Sequence, residues 1–178
     1  MSSETMIRSQ RSTAGVRLGN LVILLLIAQA ATGLVLMLYY RPAPASAYLD
    51  LVDLREVSRF GFVRSLHLWG SHAAVILAWL HLLRRALRGT QGSARRRAWF
   101  FTVALMLLTV LLAATGYLLR WDQNGTWGLA MLSPFGPFTP DDADRLMRFY
   151  VLHCIVLPLL ATGLILTHRR LRWKASKH

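Results

Sequence analysis

Four histidines fall into two pairs, His67 with His81 and His153 with His168, and each pair lies inside a long apolar run. An ionisable side chain within a membrane span is costly, so it marks a candidate functional site. On an α-helix rising about 1.5 Å per residue, spacings of fourteen and fifteen residues separate the members of a pair by roughly 21–23 Å, most of a bilayer core. At about 100° per residue, fourteen residues stop about 40° short of whole turns and fifteen overshoot by about 60°. Each pair therefore looks out from much the same face of its helix, at two depths. Two such helices side by side would present facing histidines near both membrane surfaces. Imidazole suits iron, and two axial histidines leave the metal no open position. The chemistry this pattern fits is a pair of bis-histidine haems that pass electrons and make no bonds to substrate.

The elements that must carry these residues are visible as four apolar stretches, Leu18–Tyr40, Leu66–Leu87, Trp99–Leu119 and Phe149–His168. Each is close to the twenty or so residues that span a bilayer. The 178-residue chain is 54% hydrophobic with a formal charge of +13, and the positive charges lie between the apolar runs. A nucleic-acid binder would gather them into a stripe on a soluble fold, so nucleic acid is excluded as a partner and the lipid bilayer takes its place. The first run follows a polar leader (1–17) and is full membrane width, unlike a cleavable signal. One cysteine, Cys154, excludes both an internal disulfide and Cys-x-x-Cys-His haem attachment.

Loop charges orient the spans. Fourteen of the 21 Lys and Arg lie in the leader (Arg8, Arg11, Arg17), the second connection (Arg84 to Arg97) and the basic tail (169–178), and seven of the eight acidic residues lie in the two opposite loops. The positive-inside rule puts both termini in the cytoplasm. The second and fourth spans then run parallel, so His67 and His153 share the outer level and His81 and His168 the inner one. The expected fold is all-α: one domain over residues 1–178, an integral membrane four-helix bundle holding two haems.

A porphyrin needs room, and Gly19 and Gly33 on the first span repeat the histidine period, with Gly116 at the outer end of the third. Small residues in spans also serve plain helix packing, which competes with this reading. Arg64 and Arg84 stand one turn outside His67 and His81 and could pair with haem propionates, or simply anchor at the interface. His72 lies about 140° round the helix from His67 and reads as a packed or hydrogen-bonded residue. Cys154 reads as packing, Pro158 as a tolerated kink, and Trp69, Trp99, Trp121, Trp127 and Trp173 as an aromatic belt.

The segments QAATG (29–33), YYRP (39–42), GFVRSLHLWGSH (61–72), LHLLR (80–84), GYLLRWDQNGTWG (116–128) and RFYVLHCIVLPLL (148–160) resemble the amino-terminal four-helix part of cytochrome b over about residues 15–172, most closely cytochrome b6-type subunits. The fifteen-residue second spacing is the b6-like form. The resemblance implies two non-covalent haems b, the outer on His67 and His153 and the inner on His81 and His168. It also implies Gly19, Gly33 and Gly116 as haem-packing glycines, and Arg64 and Arg84 near propionates. Arg17 stands where cytochrome b6 resembles a cysteine holding an extra haem, so no covalent third haem is expected. Thr102 replaces a glycine and Arg120 the proline of a Leu-Pro-Trp turn. The Trp127–Arg148 loop is shorter than in the family, where that region builds the quinol-oxidation site and the Rieske docking surface. The other half of that site, with a Pro-Glu-Trp-Tyr motif, belongs in those relatives to a carboxy-terminal portion not found in this sequence.

The function implied is transmembrane electron transfer by a subunit that is not catalytic alone. It would exchange electrons with membrane quinone or quinol within a bc/b6f-like respiratory complex of a prokaryotic inner membrane. Partners would be a carboxy-terminal cytochrome b portion, a Rieske protein or a c-type cytochrome, in a homo- or hetero-oligomer. The alternative is a haem-bearing membrane anchor of another redox complex, without a complete quinol-oxidation site. A transport path is disfavoured because it predicts helices broken near the midplane, whereas the histidines sit near the two faces.

Overall fold

The computed structural model describes residues 3–56, 60–87, 93–122 and 143–175, with side chains described over 17–56, 60–87, 96–122 and 143–170. Most of the Trp127–Arg148 connection lies outside the described residues. So do His178 and the side chains of Arg8, Arg11, Trp127 and Trp173. Among the described residues all regular structure is helical: α1 (Ser3–Met37), α2 (Ala47–Glu56), α3 (Gly61–Ala86), α4 (Ser93–Leu118), α5 (Ala143–Val151), a π-helical turn (Leu152–Val156) and α6 (Leu157–Ala175). Four segments are long and apolar enough to cross a membrane, Arg17–Met37, Gly61–Ala86, Arg96–Leu118 and Ala143–Arg170. All four begin earlier than the apolar runs, the last three by three to six residues. Arg64, Arg96, Arg97, Asp144, Arg145 and Arg148 lower the local hydropathy, yet the backbone must stay hydrogen-bonded until it clears the hydrocarbon.

Helix α1 packs along α3, α3 along α4, and α4 along α6, while α1 also meets the π turn. The two histidine-bearing spans therefore stand diagonally across the bundle, with α1 and α4 between them. The α3–α4 seam is closed by Ala78 and Leu82 against Met106, with Thr102 and Thr109 also buried on α4. Small side chains bring helix backbones close where no hydrophobic effect drives them together. Leu24, Leu34, Ile76, Leu107 and Leu159 point outward and are exposed, as a lipid-facing surface requires.

The short helix α2 follows the first span and is tied back to it. Arg41 gives its backbone N–H to Asp50 Oδ2 at 2.8 Å and its guanidinium to Asp50 Oδ1 at 2.5 Å. Those hydrogen bonds hold the Asp50 carboxyl below its ordinary pKa of 3.8. Beside it, Tyr40 donates to the Leu119 carbonyl at 2.6 Å and stacks on Tyr150. Burial of Tyr40 pushes its phenol pKa upward.

At the end of α4, Trp121 has φ 49°, a left-handed conformation that a bulky L-residue adopts only at a cost. It is held there by burial with Ala47, Leu119 and Leu146. Trp121 thus sits in a protein core and does not face lipid as the aromatic belt would have it. Arg120 keeps the N–H that a proline would lack and donates it to the Tyr117 carbonyl at 3.3 Å. Its guanidinium pairs with Asp122 and lies 4.9 Å from the Tyr117 ring centre.

The π turn explains the unequal histidine spacing. A π turn accommodates one extra residue in a helix, setting the following side chains back by about 100° relative to a continuous α-helix. The fifteen-residue pair, otherwise about 60° over, then falls about 40° short, as the fourteen-residue pair does. Leu157 N–H bonds back five residues to the Leu152 carbonyl. Pro158, which has no N–H to give to Cys154, follows immediately.

Candidate haem sites

His67, on the first turns of α3, and His153, in the π turn, meet across the bundle with ring centroids 6.3 Å apart and planes at 80°. Metal–nitrogen bonds of about 2.0–2.1 Å to two trans imidazoles, with about 1.2 Å from each nitrogen to its ring centre, would place the centroids roughly 6.4 Å apart. The observed 6.3 Å is close to that value, so the two rings would fit on either side of a metal.

The orientation of each ring has an identifiable cause. His67 Nδ1 is 3.0 Å from Thr32 Oγ1 on α1, and His153 Nδ1 is 3.0 Å from Thr115 Oγ1 on α4. Each hydroxyl also lies 2.8 Å from the carbonyl four residues back, Ala28 for Thr32 and Leu111 for Thr115. A hydroxyl has one hydrogen. With that hydrogen given to a carbonyl, the oxygen can accept from Nδ1–H, and in that tautomer each ring carries its lone pair on Nε2. That tautomer would leave both Nε2 atoms for a metal.

The glycines lie against the same rings. A Cβ added to Gly33 would come 3.1 Å from His67 Cε1, and one added to Gly116 would come 2.9 Å from His153 Cε1. At the inner level, a Cβ on Gly19 would come 3.0 Å from His81 Cε1. His81 and His168 line one cavity of about 200 Å³ with Gly19, Ala78, Thr102 and Met106. Phe101 lies 5.6 Å from the His168 ring. No three metal-ligating side chains gather anywhere among the described residues. Each histidine pair could supply two donors, which would suit a haem iron whose remaining ligands come from the macrocycle.

Arg64 and Arg84 are half-buried near the two ends of α3. His72 points away from the pair, 2.8 Å from the Leu68 carbonyl through Nδ1 and 3.1 Å from Tyr117 Oη through Nε2.

The family described as Cytochrome b/b6/petB matches residues 5–140. Cytochrome b6 of Heliobacterium mobile is 34% identical over 167 residues, covering 85% of this chain and 78% of that protein. Cytochrome b6 of Euglena gracilis is 33% identical with the same coverage. The chain belongs to the cytochrome b family. A chain of a solved structure titled Hyperthermophilic respiratory Complex III has the same fold, with a TM-score of 0.79 at 22% identity. The match covers 88% of this chain and 47% of that one, so this chain spans about half its length. As a cytochrome b, the chain is a multi-pass membrane protein of electron transport and binds haem b.

Two threonines at the outer site escape a histidine-first reading of the sequence. Their signal is the triplet Ala-Thr-Gly, which occurs at 31–33 and 114–116. In both copies the threonine reaches Nδ1 of the ring whose Cε1 the following glycine faces. A third copy at 161–163 does nothing of the kind: Thr162 bonds the Pro158 carbonyl at 2.9 Å, and a Cβ at Gly163 would meet nothing within 4 Å. Recurrence alone does not mark the site; position opposite a histidine does.

Proposed function

We propose that this chain holds two non-covalent haems b. His67 and His153 would bind one near the outer face, and His81 and His168 the other near the inner face. As a single domain it would serve as the transmembrane electron-transfer subunit of a bc/b6f-like quinol–cytochrome reductase complex. The observation that carries the reading is the 6.3 Å ring separation of the outer histidines, with both Nε2 atoms left to a metal. Bound haem supplies one-electron ferric–ferrous chemistry. The chain's residues would hold and space it, with the four imidazoles as iron ligands that leave no room for others. Gly19, Gly33 and Gly116 keep side-chain bulk away from the ligand rings, and Arg64 and Arg84 give cations at the two membrane edges for propionates. As an electron-transfer subunit the chain would not be catalytic alone. Electrons would be exchanged with membrane quinone and with partners such as a carboxy-terminal cytochrome b portion, a Rieske protein or a c-type cytochrome. The setting proposed is a prokaryotic inner membrane.

Reduced-minus-oxidised spectra with haem quantification of the gently solubilised protein test this. Two b-type haems per chain are expected. His67→Ala and His153→Ala should abolish one and the same component, and His81→Ala and His168→Ala the other. A content near one haem per chain, or His67→Ala and His153→Ala removing different components, would refute the assignment. Co-purification of a dehydrogenase or multihaem cytochrome, with no Rieske or cytochrome c partner, would overturn the complex assigned.

A further inference from the structure

Threonine in a membrane helix ordinarily satisfies its hydroxyl on its own backbone. Thr102, Thr109, Thr162 and Thr167 do this, each bonding the carbonyl four residues back at 2.8–2.9 Å. Thr32 and Thr115 make that same bond and then present the remaining lone pairs to a histidine ring, both at 3.0 Å and both at Nδ1. They come from different helices, α1 and α4, and approach two rings that face each other. At the inner level, Leu18 and Phe101 occupy the positions one residue before Gly19 and Thr102, so no hydroxyl stands at the matching places.

We propose that Thr32 and Thr115 are a matched pair of positioning residues that set the electron-donating strength of the outer ligands. By accepting Nδ1–H they fix both imidazoles in the tautomer that directs Nε2 to the iron, and they lower the midpoint potential of the outer haem. The proposal rests on the assignment of His67 and His153 as ligands. The physical reason is that a hydrogen bond accepted from Nδ1–H shifts electron density onto the ring and makes Nε2 a stronger donor. A stronger donor stabilises ferric iron over ferrous. Removing the acceptor therefore moves the potential upward, and the effect should be confined to the outer component.

The test uses the full chain, purified with its haems, carrying Thr32→Val, Thr115→Val or both, with Thr→Ser at each position as the conservative counterpart. Valine keeps the shape and deletes the oxygen, and serine keeps the oxygen. Haem per chain and the midpoint of each spectral component are read by potentiometric titration. Outer-shell partners of metal-bound histidine typically carry 10–100-fold effects on metal affinity. A tenfold change in the ferric-to-ferrous ratio corresponds to 59 mV for one electron, and a rise of about that size is expected for the double valine variant. The inner component should stay in place, and both serine variants should return the outer midpoint towards wild type. Selective loss of the outer haem in the valine variants, with retention in the serine variants, would equally show that the hydroxyl holds the ring. Two intact haems with unmoved midpoints in the double valine variant would overturn this proposal alone, as would serine behaving like valine or both components shifting together. A wild-type chain with fewer than two haems would instead sink the ligand assignment and the proposal with it.

Discussion

Replacing single glycines with alanine separates haem-site roles from ordinary helix packing, because the geometry ranks the four positions in advance. At Gly116 the new methyl would stand 2.9 Å from His153 Cε1, against 3.4 Å for the start of ordinary contact. At least 0.5 Å must be found by moving the ring or the helix. The ring is not free to swing, since Thr115 holds its Nδ1 at 3.0 Å. Gly19 and Gly33 face the same problem at 3.0 and 3.1 Å, whereas Gly163 has open space. Two opposing terms set the outcome. Alanine gains about 1 kcal/mol over glycine from helix propensity, and forced overpacking costs about 1–3 kcal/mol. Gly163→Ala should therefore be neutral or stabilising by up to about 1 kcal/mol. Gly116→Ala should be neutral to destabilising by about 2 kcal/mol once the overpacking cost is set against that gain, and it should lose or shift the outer haem. The assay pairs thermal unfolding in detergent with haem per chain and the spectrum of each component. Expected haem loss falls in the order Gly116, Gly19, Gly33, with Gly163→Ala like wild type and the Gly19 effect in the inner component. Gly116→Ala with full haem content and an unmoved outer band would refute the reasoning.

Two further outcomes follow from the packing. The depressed Asp50 pKa means the unfolded chain takes up its proton before the folded one does. The Arg41–Asp50 contribution to stability is therefore fully present above about pH 4 and fades as pH falls through the lower folded value. Wild type should unfold at a higher temperature than Asp50→Asn at pH 6, with the gap narrowing as pH falls below about 4; an unchanged gap would show that the carboxylate charge is irrelevant. The second outcome concerns register. Deleting Ile155 should let the π turn relax to an α-helix with a fourteen-residue His153–His168 spacing and retain both haems. Deleting Val75, in a helix with no bulge to absorb the change, should rotate His67 about 100° from His81 and cost a haem. Loss of the outer haem on deleting Ile155 would refute the register argument.

The elements were legible because membrane spans announce themselves by apolar length, and helix parity with loop charge then makes the second and fourth spans parallel. That was enough to predict that His67 and His153 share a level; in the structure their ring centroids lie 6.3 Å apart. Helix α2 was not legible. Its ten residues mix Asp50, Asp53, Arg55 and Glu56 with Leu and Val, and its place is held by Asp50 bonding Arg41, a tertiary contact without local periodicity. The left-handed Trp121 was hidden for the same reason, since burial against Ala47 and Leu146 imposes a conformation that its own preference opposes.

At the candidate site, sequence spacing places ligands along a helix but says nothing about which edge of an imidazole is held. Both spacings keep a pair on much the same helix face, but one stops about 40° short and the other runs about 60° over, and the backbone accounts for that difference. With Pro158 just beyond it, the π turn takes up one residue between His153 and His168. The same turn brings His153 opposite Thr115, as α3 brings His67 opposite Thr32. The two imidazoles are thus equivalent in environment although their helices are not equivalent in sequence. At the outer pair the two Ala-Thr-Gly segments each set a hydroxyl 3.0 Å from a histidine Nδ1, whereas Leu18 and Phe101 occupy the matching sequence positions at the inner pair. The asymmetry between the two levels lies in the neighbours of the histidines, since all four candidate ligands are the same residue.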